Sequence, residues 1–128
     1  MNTKICTSIE QSKKLLSFGL DPSTADMCYI GTEREHILHA ESYSQILKWR
    51  KDYKKESNAP FSTTIIPAWS LAALLGLMPD VIKVEEECYT FSLIKNVIEY
   101  VRHDGNILYS TGGESFVDAA VKMFELIK

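Results

Sequence analysis

The pattern of apolar and polar positions is organised around residues 65–79, a stretch almost free of polar side chains. Pro67 can occupy the first helical position, because the N–H that proline lacks has no intrahelical partner there, and Pro79 disfavours further helix. The larger apolar side chains between the prolines recur at spacings of three and four: Leu71, Leu74, Leu75 and Met78. The pattern predicts a buried central helix of about twelve residues, far shorter than the roughly twenty that span a bilayer.

Amphipathic helical patterns lie near both ends of the chain. Two overlapping capping boxes mark the start of the first helix: Thr7 with Glu10 and Ser8 with Gln11. Gly19 suits the left-handed residue that ends this helix after about Phe18. Ser115 marks the start of the last helix, whose apolar stripe follows: Phe116, Ala119, Ala120, Met123, Phe124 and Ile127.

Runs of β-branched and aromatic residues predict strands at 27–30, 61–66, 89–94, 97–102 and 107–109. The acidic trio Glu85 to Glu87 reads as a solvated loop before a strand. Asp104-Gly105 predicts a hairpin turn in which both central residues have positive φ. A meander of about three antiparallel strands results.

Together these patterns predict an α+β fold, with a small antiparallel sheet of about three to five strands. The sheet is expected to pack with the central apolar helix and with the N- and C-terminal amphipathic helices. A length of 128 residues is that of one domain, so residues 1–128 are expected to form a single α+β domain.

The most unusual stretch is the charged segment from 33 to 58, in which the pattern predicts an amphipathic helix over roughly 40–56. It contains a basic cluster interleaved with aromatic residues, which is our candidate interaction surface: Lys48, Trp49, Arg50, Lys51, Tyr53, Lys54 and Lys55. The formal net charge of the whole chain is −3, so only such a local patch could attract nucleic acid. The cluster could bind phosphates and stack bases, or simply form the solvated face of a helix.

Other residues with chemical potential carry weaker signals. His36 and His39 would share one helical face, but no third ligand lies at a recognisable spacing, so we expect no metal and no cofactor. Ser70 lacks the glycine elbow of a nucleophile and is expected to cap a helix or pack in the core. Cys6, Cys28 and Cys88 form no paired motif and predict reduced, mostly buried thiols. The first residues lack the apolar core of a secretory signal, so we expect a cytoplasmic protein.

Four short motifs carry a resemblance: 6–12 (CTSIEQS), 24–27 (TADM), 67–71 (PAWSL) and 115–120 (SFVDAA). With these motifs the chain resembles a group of small uncharacterised proteins encoded by gut Bacteroidetes and by their phages or prophages. The resemblance spans the first helix, the first strand, the central helix and the final helix, whereas the charged segment departs from it. It implies an intracellular, phage-linked accessory protein and transfers no catalytic residues.

The sequence by itself names no activity. We expect a non-enzymatic interaction domain that acts through a protein partner or by self-association, with the charged segment as its contact region. The alternatives are a nucleic-acid-binding accessory protein that uses the basic cluster, and a small enzyme with an unrecognised site. We expect no membrane partner.

Overall fold

The computed structural model describes residues 4–31, 35–57 and 64–127. Within these ranges the chain forms four α-helices and seven strands, which confirms the predicted α+β class. The helices are α1 (Ile9–Ser17), α2 (Tyr43–Ser57), α3 (Leu71–Leu77) and α4 (Phe116–Ile127). The strands are β1 (Met27–Gly31), β2 (His36–His39), β3 (Thr64–Ala68), β4 (Val81–Val84), β5 (Glu87–Ile94), β6 (Val97–Val101) and β7 (Ile107–Gly112).

The strands form two antiparallel sheets rather than one. The first has the order β2-β1-β3, and the second is a four-stranded meander, β4-β5-β6-β7. The predicted meander of about three strands therefore gains β4, which pairs with β5 across a turn at Glu85 and Glu86. Glu87 lies in β5 and not in the predicted loop.

The N-terminal helix follows its sequence signals closely. Ser8 and Gln11 form a reciprocal capping box, in which the Ser8 hydroxyl accepts from the Gln11 N–H and the Gln11 side chain accepts from the Ser8 N–H. At the other end, Gly19 has φ of 93°. The Gly19 N–H donates to Leu16 O and the Leu20 N–H to Leu15 O, which is the hydrogen-bond pattern of a Schellman cap.

The central apolar stretch corrects our prediction. β3 continues through Pro67 and Ala68, and Ser70 caps α3, which is only seven residues long. Pro67 pairs opposite Cys28 of β1, and β3 is an edge strand, where a residue without an N–H is tolerated. Of the α3 residues, Leu74 alone is fully buried, so this helix is not the buried centre of the fold.

The buried centre is α4 instead. Its inward residues lie in the core: Val117, Ala119, Ala120, Val121, Met123 and Phe124. This helix packs on β6, β7 and α3. The same core includes Trp69, whose Nε1 donates to Thr24 Oγ1 at 3.0 Å, and Tyr100, whose hydroxyl donates to Pro79 O at 2.7 Å. One hydrophobic core therefore joins elements from both halves of the chain.

Two further predictions about local structure are wrong. His36 and His39 lie on β2, not on a helix, so their side chains point to opposite faces of the first sheet. In the β6–β7 connection, Gly105 has φ of 93° but Asp104 is not in the positive-φ region. The connection is longer than a two-residue turn, since the Arg102 N–H donates to Asn106 O and the Asp104 carboxylate holds the Arg102 guanidinium.

The segment before α1 ties the two halves together through polar contacts. Lys4 Nζ and Gln11 Nε2 both donate to Asp118 Oδ1 of α4, each at 2.8 Å. The Thr7 N–H donates to Trp69 O at 2.9 Å, and the Thr7 hydroxyl accepts from the Trp69 N–H at 3.1 Å. Residues 4–12 thus link the β3–α3 junction to the C-terminal helix.

Replacing Glu85 with glycine should stabilise the fold. Glu85 has φ of 57°, a conformation that costs an L-residue about 1–2 kcal/mol. Glycine avoids this cost, but its larger conformational entropy in the unfolded chain cancels part of the gain. We expect Glu85→Gly to raise the free energy of unfolding by about 0.5–1 kcal/mol in urea titration. Glu86→Gly makes the same change of charge without relieving positive φ, and should be neutral or destabilising. Equal effects of the two substitutions would contradict this account of the turn.

The contacts of Asp118 should make stability depend on acid pH. Partial burial acts to raise its pKa, but hydrogen bonds from Lys4, Gln11 and Ser115 outweigh burial and lower it below the ordinary 3.8. A carboxyl group whose pKa is lower in the folded chain than in the unfolded chain stabilises the fold. This stabilisation is complete above the ordinary pKa and is lost as pH falls through the lower pKa of the folded state. We expect Asp118→Asn to lower the free energy of unfolding by about 1–2 kcal/mol at pH 7. Below about pH 4 the free energies of unfolding of the variant and the unmodified chain should approach each other.

The matched control for Asp118 is Glu125→Gln. Glu125 lies on the same helix and pairs with Lys14 at 3.0 Å, but this pair is about half exposed. Exposed pairs contribute little, so this change should alter stability by less than about 0.5 kcal/mol at every pH. An Asp118→Asn effect that is equally small, or independent of pH, would show that the N-terminal contacts do not hold the fold.

Candidate interaction surface

Within the charged segment, α2 (Tyr43–Ser57) matches the helix predicted over roughly 40–56, whereas His36–His39 form β2. The first turn of α2 anchors the helix to the protein. The Ser42 hydroxyl accepts from the Gln45 N–H at 3.2 Å, which satisfies one free N–H at the helix start. Tyr43 packs against the core, and Ile46 is buried. The helix contacts β3 and the 3₁₀ turn at Pro22–Thr24. It is therefore fixed along one stripe of its surface.

Large side chains next to this stripe are left in solvent. Trp49 is 51% exposed and Leu47 is 39% exposed. Lys48 and Lys51 are also exposed. The side chains of the other members of the predicted cluster lie outside the described part of the structure: Arg50, Tyr53, Lys54 and Lys55.

Helix geometry separates the aromatic residue from the basic ones. With a rotation of about 100° per residue, Leu47 and Trp49 lie on either side of Ile46, about 160° apart. Lys48 and Lys51 lie about 140–160° from Ile46, on the face turned away from the protein. Trp49 and Lys51 are themselves about 160° apart around the helix. Among the three members of the cluster whose side chains are described, Trp49 therefore lies beside the buried stripe and Lys48 and Lys51 lie on the outer face.

The sequence pattern did not distinguish Leu47 from the buried positions, because Leu47 lies four residues after Tyr43, which is the spacing of one helical face. The spacing identifies an apolar arc but not how much of it the protein covers. On average such an arc is about 100° wide when a helix faces a core, whereas here it spans about 160°. The sequence signal for exposed apolar residues on α2 is therefore that the arc from Leu47 to Trp49 is wider than a buried stripe requires.

The two β2 histidines do not form a metal site. His36 Nε2 lies 2.7 Å from Thr64 Oγ1, and His39 Nδ1 lies 3.9 Å from a Glu41 oxygen. Within residues 4–31, 35–57 and 64–127, no group of three or more His, Cys, Asp or Glu side chains could hold a metal ion.

The buried thiols are held in their protonated, unreactive form. Burial raises the pKa of Cys6, against a hydrogen bond with Tyr29, and raises that of Cys28 to about 11. A thiolate is the reactive species, so neither cysteine is activated. Two of the three thiols are buried, as predicted, and Cys88 is exposed.

Ser70 has the structural role that its sequence context suggested. Its hydroxyl accepts from the Ala73 N–H at 3.2 Å as the cap of α3, and donates to the Asp26 carboxylate. The other Asp26 oxygen accepts from the Ser70 N–H at 2.9 Å. The hydroxyl is therefore committed to joining α3 to the segment before β1.

No family model, no curated protein and no solved structure matches this chain. Among the helices of the described residues, none combines the length and the apolar character needed to cross a membrane. The geometry of the chain itself therefore carries the functional argument.

The two tryptophans should report the difference between the α2 surface and the core. Trp69 is fully buried, and Trp49 is half exposed beside basic residues. Iodide should therefore quench the fluorescence of Trp49 and leave that of Trp69. We expect Trp49→Phe to abolish the iodide-accessible component and to leave a blue-shifted emission. Because Lys48 and Lys51 attract anions, iodide should quench Trp49 more than caesium does at low salt, and added salt should reduce the difference. Equal quenching of the native chain and Trp49→Phe by iodide would contradict the exposure of Trp49.

Proposed function

We propose that this chain is a non-enzymatic cytoplasmic interaction domain that binds a protein partner through α2. The exposed apolar margin of α2, with Trp49 half in solvent, carries the proposal. The resemblance to Bacteroidetes and phage proteins is the basis for assigning it an accessory, phage-linked role.

Exposing tryptophan to solvent is unfavourable, and burying it against a partner contributes strongly to the free energy of binding. A buried aromatic side chain removes about 150–250 Å² from water, and tryptophan is enriched among residues that dominate interface energies. Trp49 also sits on a helix that Tyr43 and Ile46 hold in place, so binding would order little backbone. These features favour an anchor residue over an incidental exposed side chain.

The arrangement favours a protein partner over nucleic acid. Single strands are bound by aromatic residues that stack bases within a groove whose basic residues track the backbone. Among the α2 side chains that the structure describes, Trp49 lies beside the buried stripe, while Lys48 is about 100° and Lys51 about 160° away from it around the helix. A partner that packs along the Trp49 side of α2 would cover Trp49 with apolar groups and meet Lys48 with acidic groups at the rim.

Affinity capture with the full-length tagged chain, with and without nuclease, tests this proposal. We expect a protein partner to be retained after nuclease treatment and to be lost with Trp49→Ala, which should weaken binding by roughly tenfold to a hundredfold. Lys48→Glu with Lys51→Glu should weaken it several-fold, mainly at low salt, because rim charges act on the association rate. Lys13→Glu, an exposed charge reversal on α1, is the control for a lysine reversal away from α2 and should have no effect.

Two results would overturn the proposal. Partners that disappear with nuclease, together with a steep loss of binding as salt rises, would identify the chain as a nucleic-acid-binding protein. A retained partner that is unaffected by Trp49→Ala would show that α2 is not the contact surface. Each variant's thermal unfolding should be measured alongside, so that a folding defect is recognised.

A further inference from the structure

The face of the second sheet that points away from α4 is open in the described structure. Ile98 and Tyr100 of β6 are fully buried on the α4 side, so the residues that alternate with them point outward. The register extends this outward face across the sheet: Val81 and Lys83 on β4; Cys88, Thr90, Ser92 and Ile94 on β5; Val97, Glu99 and Val101 on β6; Ile107, Ser110 and Gly112 on β7.

Apolar and β-branched side chains form rows on this face. One row crosses all four strands in register: Val81, Thr90, Val101 and Ile107. Val81 is 48% exposed and Ile107 is 54% exposed at its two ends. Ile94, paired with Val97, is 60% exposed in a second row. A solvated antiparallel sheet normally places polar residues outward, so this face has the composition of a covered one.

The charged positions of this face are Lys83 and Glu99, and they lie on opposite sides of Thr90. Lys83 pairs with Cys88, two residues before Thr90, and Glu99 pairs with Ser92, two residues after it. They also lie on different strands, with β5 between them. The face therefore carries one charge of each sign, placed diagonally about its centre.

We propose that two copies of this chain pack these outward sheet faces together about a two-fold axis near Thr90. In a two-fold contact the same patch meets itself. If one residue of the first copy faces a second residue of the other copy, then that second residue of the first copy faces the first residue of the other. A face with a single sign of charge would repel its copy. With the axis in the plane between the two faces and perpendicular to the line from Lys83 to Glu99, Lys83 of each copy faces Glu99 of the other, while the rows of β-branched residues pack between the sheets.

The size of the face sets the strength of this dimer. Four strands of four, eight, five and six residues, spaced about 4.8 Å apart, give an area on the order of 400 Å² per copy. The pair would bury about 800 Å² in total, which belongs with the smallest, weak and transient interfaces. The dimer should therefore appear only at high protein concentration and dissociate on dilution.

Sedimentation velocity with charge-swapped variants gives a decisive test. Lys83→Glu leaves two acidic side chains on the face and Glu99→Lys leaves two basic ones, so each variant should repel its own copy and dimerise roughly tenfold more weakly. An equimolar mixture of the two variants places opposite charges at both contacts and should form a heterodimer about as tight as the native dimer. The double variant, with both changes in one chain, should also recover dimerisation. Ile107→Lys should weaken all of these dimers.

A charge change outside the sheet face is the control. Lys48→Glu with Lys51→Glu changes α2 only and should leave dimerisation intact, and each variant should unfold at the native temperature. The proposal is overturned by a chain that stays monomeric up to about 1 mM, by single variants that dimerise as tightly as the native chain, or by a mixture that does not recover the dimer.

Discussion

Burial of one side of α4 is the constraint on which the rest of the structure depends. This helix fills the space between β6, β7 and α3 with small and medium side chains, which allows close approach. Thr111 donates to Ala119 O at 2.8 Å and joins the helix to the sheet edge. On its remaining side, Asp118 holds Lys4 and Gln11 and so ties the N-terminal residues to the same helix. Trp69 extends this core toward the first sheet.

The surfaces that we propose as contacts follow from what this core leaves uncovered. One helix can cover only one face of the second sheet, so the rows around Thr90 face outward. In the same way, the described part of α2 is held by the buried side of Tyr43 and Ile46, so Trp49 and Leu47 lie at the margins of its buried stripe. The two surfaces belong to different elements, so both could be occupied at once. A dimer through the sheets would then present two α2 helices and bind a repeated or paired partner with greater avidity.

The differences between prediction and structure arise from competing interactions. Pro67 satisfies the rules for a helix start, yet pairing with β1 extends β3 through it, because an edge strand tolerates a missing N–H. His36 and His39 have a helical spacing but lie on β2, whose pairing partner is β1. Asp104-Gly105 has a hairpin signature, but the Arg102–Asp104 interaction accompanies a longer connection. In the first two cases strand pairing with β1, which lies elsewhere in the chain, competed with a local preference, whereas in the third a different local interaction prevailed.

The sequence by itself determined the features that short-range hydrogen bonds and periodicity encode. These are the Ser8 capping box, the Gly19 cap, the amphipathic helices α1, α2 and α4, most strands of the meander and the α+β class. It also placed the candidate surface on α2. Only the tertiary structure decided that the strands divide into two sheets, that α4 and not α3 is the buried helix, and that Trp49 and the Thr90 row face solvent. Exposure and strand pairing depend on residues far apart along the chain, so no local pattern can specify them.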